Sequence, residues 1–118
     1  MMRRMLITED EPDLQTCLQD FFSARGFSVV TAFSGEEALE RLAQGPAEVI
    51  LLDIMLPGIP GMEVLRRIKI LSPRTKVIMV TALSHPQLRF QAEASGASGY
   101  ITKPFDFSEQ TWAPVLAV

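Results

Sequence analysis

The sequence predicts an α/β fold, a parallel sheet of five strands with helices on both faces, and three observations carry that prediction. Short apolar or β-branched runs alternate with segments of helical period, strand then helix, five times along the 118 residues, which is the pattern of βα units. The run Val49-Ile50-Leu51-Leu52 has no polar alternation. It is closed by Asp53, with the turn-forming Pro57-Gly58-Ile59-Pro60-Gly61 just beyond, so it reads as a strand buried on both faces. Right-handed crossovers between parallel neighbours then place helices on both sides of the sheet.

In order, Arg4 to Thr8 is a short strand that runs into Glu9-Asp10-Glu11. Pro12 suits the first turn of a helix, where its missing N–H is not needed. Leu14, Cys17, Leu18, Phe21 and Phe22 recur at helical spacing, which puts Cys17 in the core or half-buried; Gly26 stops this helix after Arg25. Phe27 to Ala32 forms the second strand around β-branched Val29, Val30 and Thr31. Ser34-Gly35-Glu36-Glu37 is a capping box, and the helix it opens runs through Ala43 to a stop at Gly45-Pro46. After the central strand, Pro60 or Gly61 opens a third helix with Met62, Leu65, Ile68 and Leu71 facing inward and Arg66, Arg67 and Lys69 solvated. Ser72-Pro73 breaks it, and Lys76 to Thr81 is the fourth strand. Ser84 caps a fourth helix with Pro86 in its first turn, although Leu88, Phe90, Ala92 and Ala94 form no clean stripe. Gly99 to Thr102 is the fifth strand, ending at Lys103-Pro104. Asp106 or Ser108 caps a last helix over about residues 106–118. Pro114 lies inside it, and a proline in a helix interior costs roughly 3 kcal/mol. That helix is therefore expected to be short, kinked or displaced, with Trp112 packed against the sheet.

Composition narrows the function. The net charge is -3 and the hydrophobic fraction 47%, which describes a globular domain without the basic surface that direct nucleic-acid binding needs. One cysteine excludes an internal disulfide or a cysteine metal cluster. Thr8-Glu9-Asp10-Glu11 cuts the first apolar run too early for a signal peptide, and no stretch is long enough to span a bilayer, so a cytoplasmic location is expected.

The strand ends carry the chemistry. In a parallel sheet all C-terminal ends point the same way, towards the edge where open α/β sheets bind ligands. Strand one ends in Glu9-Asp10, strand three in Asp53, strand four in Thr81 and strand five in Lys103. Three carboxylates brought together repel each other, and a hard divalent ion relieves that; such oxygen donors favour Mg²⁺ with waters retained. A phosphoryl group on Asp53, as nucleophile, gives the remaining residues roles: metal and Lys103 hold its oxygens and the Thr81 hydroxyl donates to one. His85, the only histidine, lies beyond the fourth strand as a surface residue at a helix start, so no histidine serves as general base.

Together, Leu6-Ile7-Thr8-Glu9-Asp10-Glu11-Pro12, Leu51-Leu52-Asp53-Ile54-Met55-Leu56-Pro57-Gly58, Val80-Thr81-Ala82 and Gly96 to Phe105 resemble the receiver domain of bacterial two-component response regulators, the CheY-like family. The resemblance implies a doubly wound, flavodoxin-like sheet of order 2-1-3-4-5 and a single receiver domain over residues 1–118. It makes Asp53 the phosphoacceptor, Asp10 a direct ligand of Mg²⁺ (or Mn²⁺), Glu9 its neighbour acting through water, and the Met55 backbone carbonyl a further ligand. It makes Thr81 and Tyr100 the switch pair and Lys103 the phosphoryl-binding lysine, with a cis Lys103–Pro104 bond. The implied partners are a sensor histidine kinase or a histidine phosphotransfer protein, a downstream protein or a C-terminal effector domain, and a second copy through the face of the fourth helix, fifth strand and fifth helix. Catalysis is limited to self-catalysed phosphoryl uptake and slow autodephosphorylation.

Three departures stand out. Pro60 replaces the aspartate common before Gly61, Met55 and Leu83 are apolar where side chains tune water access, and Pro114 interrupts the output helix. The last motivates an alternative reading, a phosphorylation-independent interaction module on the same fold. A small hydrolase with an aspartyl nucleophile ranks lower, because neither a second acid/base nor a substrate cap is visible.

Overall fold

The computed structural model describes residues 2–117; Met1 and Val118, the outer bounds of the expected domain and last helix, lie outside the described residues. The elements are β1 (Arg3–Thr8), α1 (Pro12–Ser23), β2 (Phe27–Ala32), α2 (Gly35–Gln44), β3 (Val49–Leu52), α3 (Gly61–Leu71), β4 (Lys76–Thr81), α4 (Pro86–Ala94), β5 (Gly99–Thr102) and α5 (Glu109–Leu116). The sheet order is β2-β1-β3-β4-β5, and every neighbouring pair is parallel. Both features match the expectation.

The inner strands β1, β3 and β4 are buried on both sides over most of their length, while edge strand β2 is largely half-buried, and the apolar residues of the sheet sort by alternation into two cores. Met5, Ile7, Val49, Leu51, Ile78, Val80 and Ile101 pack under α1 and α5 with Leu18, Phe22, Trp112 and Val115. Leu6, Ile50, Leu52, Val77, Met79 and Tyr100 pack on the other face with Ala38, Leu42, Val64, Leu65, Ile68 and Ala92, which come from α2, α3 and α4. All βα crossovers therefore return the chain to the same edge, and the strand C-termini share one rim.

Several local expectations are corrected by the tertiary packing. The buried stripe of α1 is Gln15, Leu18 and Phe22, and Cys17 is exposed. The sequence offers two adjacent stripes, and the one carrying the helix onto Phe27 and the sheet wins. In α3, Val64, Leu65 and Ile68 are buried while Leu71, the last residue of the helix, is 66% exposed. At α4 the N-cap position is His85 and not Ser84, and no side chain caps it. The Ser34 capping box forms with one change of partner. The Ser34 side chain accepts from the Glu37 amide at 3.1 Å, and Glu37 Oε1 reaches one residue further back, to the Phe33 amide at 2.9 Å. Of the two candidate caps for α5, Ser108 occupies the N-cap and Asp106 braces it, its Oδ1 accepting from Ser108 N at 3.0 Å and from Thr111 Oγ1 at 2.7 Å.

Candidate functional site

The rim of the sheet gathers the charged strand ends. Glu9 and Asp53 are buried, at 2% and 5% exposure, and Asp10 is exposed beside them. Carboxylate oxygens of the three lie within 4.8 Å of one another. Lys103 follows β5 directly, and its amide donates to Thr81 O at 2.8 Å, which ties it to the end of β4. From there its ammonium spans the cluster, donating to Glu9 Oε1 at 2.6 Å and Asp53 Oδ2 at 2.7 Å. The Lys103–Pro104 peptide is cis.

Each carboxylate is also aimed by the backbone. Glu9 Oε2 accepts from the Glu11 amide at 3.1 Å, and Asp53 Oδ1 from the Met55 amide at 3.0 Å. The loop after β3 folds back on itself through a bond from Gly61 N to Ile54 O at 2.9 Å. A Cβ on Gly61 would run into the Asp53 carbonyl and the Ile54 Cα, so only glycine lets α3 start this close to the site. Gly58 has φ +74° and lies under the Glu36 carboxylate, whose Oε1 accepts from Ile59 N at 3.1 Å. Met55 itself is exposed.

The electrostatics follow from this packing. Burial raises the Glu9 carboxyl above its ordinary value, and the hydrogen bonds from Lys103 and the Glu11 amide offset this only in part. For Lys103, burial opposes the charged form, but bonds to Asp53 and Glu9 outweigh it and hold the ammonium above its ordinary value. Three carboxylates facing one ammonium leave two negative charges, with Asp10 open to solvent. An all-oxygen donor set of this charge and spacing fits a hard divalent cation such as Mg²⁺.

Thr81 and Tyr100 meet through a third residue. The Thr81 side chain is fully buried, and its Oγ1 accepts from Leu83 N at 3.3 Å; the Tyr100 hydroxyl donates to Leu83 O. Burial, with Asp53 adding to it, raises the Tyr100 phenol above its ordinary value, so it stays a hydrogen-bond donor.

Comparison with known proteins places this arrangement. The model of the response regulator receiver domain matches residues 5–112. The chain belongs to the receiver domain family. It is 38% identical over 106 residues to the transcriptional regulatory protein DltR of Streptococcus agalactiae, covering 90% of this chain and 47% of that protein. To the sporulation initiation phosphotransferase F of Bacillus subtilis it is 29% identical over 109 residues, with 92% and 88% covered. A chain in the crystal structure of the CheX–CheY–BeF3–Mg²⁺ complex from Borrelia burgdorferi superposes with a TM-score of 0.91 at 29% identity, covering 98% of this chain and 87% of that one. The chain spans about half the length of the transcriptional regulators it matches.

This receiver domain brings Glu9, Asp10, Asp53 and Lys103 into one cluster and leaves Thr81 and Tyr100 linked beside it. His85 lies exposed at the N-cap position of α4. Sequence reasoning missed Gln15, the hold of Glu36 on Ile59 and the main-chain role of Leu83. For Gln15 a signal existed, a polar side chain spaced three and seven residues before Leu18 and Phe22. Leu83 and Ile59 act through main-chain atoms, which carry no residue signature. A cavity of about 720 Å³ opens at the opposite edge, lined by Pro46, Leu71, Pro73 and Lys76 among others, and touches none of the site residues. Among the described residues, no helix is long and apolar enough to cross a membrane.

Proposed function

We propose that residues 1–118 form one receiver domain that takes a phosphoryl group onto Asp53 from the phosphohistidine of a sensor kinase or a histidine phosphotransfer protein. The observation that carries this is the position of Asp53, a buried carboxylate held on one oxygen by Met55 N and on the other by Lys103, within reach of two more acids. An Asp53 oxygen forms the new O–P bond as the N–P bond breaks, and the bonding pair returns to the imidazole nitrogen of the donor. Lys103 follows the charge onto the phosphoryl oxygens, releasing Asp53 as it does so. Glu9, Asp10, Asp53 and the Met55 carbonyl would hold Mg²⁺, or Mn²⁺ in its place. Bound there, the ion would neutralise the phosphoryl oxygens.

Thr81 and Tyr100 supply the switch. The Thr81 hydroxyl accepts one bond, from Leu83 N, and keeps its proton to donate. Movement of that hydroxyl towards a phosphoryl oxygen withdraws the acceptor of Leu83 N, and the other side of Leu83 carries the Tyr100 hydroxyl. A local charge thus biases the face of α4, β5 and α5, which would serve a downstream protein, an effector domain or a second copy.

The test is direct. The protein is incubated with Mg²⁺ and a small phosphodonor such as acetyl phosphate, and intact mass is measured. Wild type is expected to gain one phosphoryl group and Asp53→Ala none. No gain by wild type, or equal gain by the variant, rejects the proposal.

A further inference from the structure

Gln15 occupies a position where α1 calls for an apolar side chain. It shares the buried stripe with Leu18 and Phe22 and is only 6% exposed. Burying an amide is unfavourable unless it is hydrogen-bonded. Its Nε2 donates to Glu9 O at 3.1 Å and to Ala32 O at 3.0 Å. Ala32 O also accepts from the Glu9 amide at 3.0 Å. The peptide groups on both sides of Glu9 are therefore fixed, one by the end of β2 and the other by Gln15. The second of these is the Glu9–Asp10 peptide, whose plane sets the direction in which Asp10 leaves the chain. Docking of α1 does not need the amide, because Leu18 is buried and Phe22 packs edge-on against Phe27 and Trp112 at 5.8 and 5.2 Å.

We propose that Gln15 is a positioning residue of the cation site, holding the Glu9–Asp10 peptide so that both carboxylates turn towards Asp53. It acts through the main chain of Glu9 and not through a carboxylate. The inference rests on reading the carboxylate cluster as a cation site and names the residue that sets its geometry from behind. Outer-shell partners of this kind change metal affinity by about 10- to 100-fold when removed.

The experiment titrates Mg²⁺ alone into wild type, Gln15→Met and Gln15→Asn, following the backbone amide resonances of residues 9–11 and 53. Met matches the length of glutamine without its donors, and Asn keeps the donors but cannot reach both carbonyls. The Mg²⁺ midpoint is expected to rise about tenfold or more in both variants. In the metal-free Met variant the Glu11 amide, which donates to Glu9 Oε2, is expected to exchange faster than in wild type. Thermal unfolding of the same samples separates geometry from stability: a lower melting point with an unchanged midpoint overturns the proposal. If Gln15→Met does not fold, the Asn variant is read by the same criterion. A wild type that binds no Mg²⁺ sinks the cation-site reading and this inference together. A wild type that binds, beside variants with the same midpoint, sinks this inference alone.

Discussion

The two helices that flank β5 are of similar length, and the one with the worse sequence is the better anchored. α5 has eight residues and Pro114 inside it. Yet Ser108 caps it, Asp106 braces the cap, and Trp112 is fully buried with its Nε1 donating to Asp106 O at 2.8 Å. Phe105 packs edge-on against Trp112 at 4.9 Å, and Phe21 and Phe107 close the cluster. α4 has nine residues and no interior proline, but no side chain caps it and Ala92 is its only buried residue; Phe90 is 73% exposed. Short helices are marginal in water by themselves, so packing decides their stability and not propensity. In this receiver domain the helix beside Thr81 and Leu83 is the loosely held one, and the proposed switch would need low local stability there. The helix behind Lys103 is pinned.

The comparison can be broken by substitution. Trp112→Ala is expected to cost about 3–5 kcal/mol in denaturant unfolding, since it empties the centre of the aromatic cluster. Phe90→Ala should stay within about 0.5 kcal/mol, as for other exposed positions. Similar losses from the two would end the contrast. Ser108→Ala removes the cap of α5 and should cost about 1 kcal/mol, while Ser84→Ala, at a position that caps nothing, should leave stability unchanged.

A smaller effect should appear with pH. Hydrogen bonds from Ser108 and then Thr111 hold the Asp106 carboxyl below its ordinary value. Its folded value is depressed, so the stabilisation is complete above the unfolded-state value and is lost as pH falls through the folded one. Amide exchange in α5 should therefore quicken on acidification through that range. Asp106→Asn should remove this acid-side dependence from α5 and leave α4 as it was. An α4 response that follows the same titration would contradict the separation of the two helices.

Much of the site was legible because its residues end strands. Asp53 stops an apolar run, Lys103 precedes a proline and Glu9-Asp10 closes β1, so one topological argument brings them to one rim. The missing parts work differently. Gln15 acts through two carbonyls, Leu83 links Thr81 and Tyr100 through its own peptide groups, and Glu36 holds Ile59 across 23 residues of sequence. The α1 stripe was misjudged for a related reason, since Cys17 and Gln15 flank the Leu18 stripe on opposite sides of one helix and polarity alone favours the wrong side.

By itself, then, the sequence determined the order of elements, the parallel sheet and the acids at its rim, because strand and helix periods and chain-terminating turns are local properties. Only the tertiary structure decided which face of α1 turned inward, which residues fixed the carboxylates from behind, and that the proline-bearing α5 is the firmer helix. Those outcomes depend on main-chain hydrogen bonds and on packing between segments far apart in the chain, where side-chain identity along one segment carries little information.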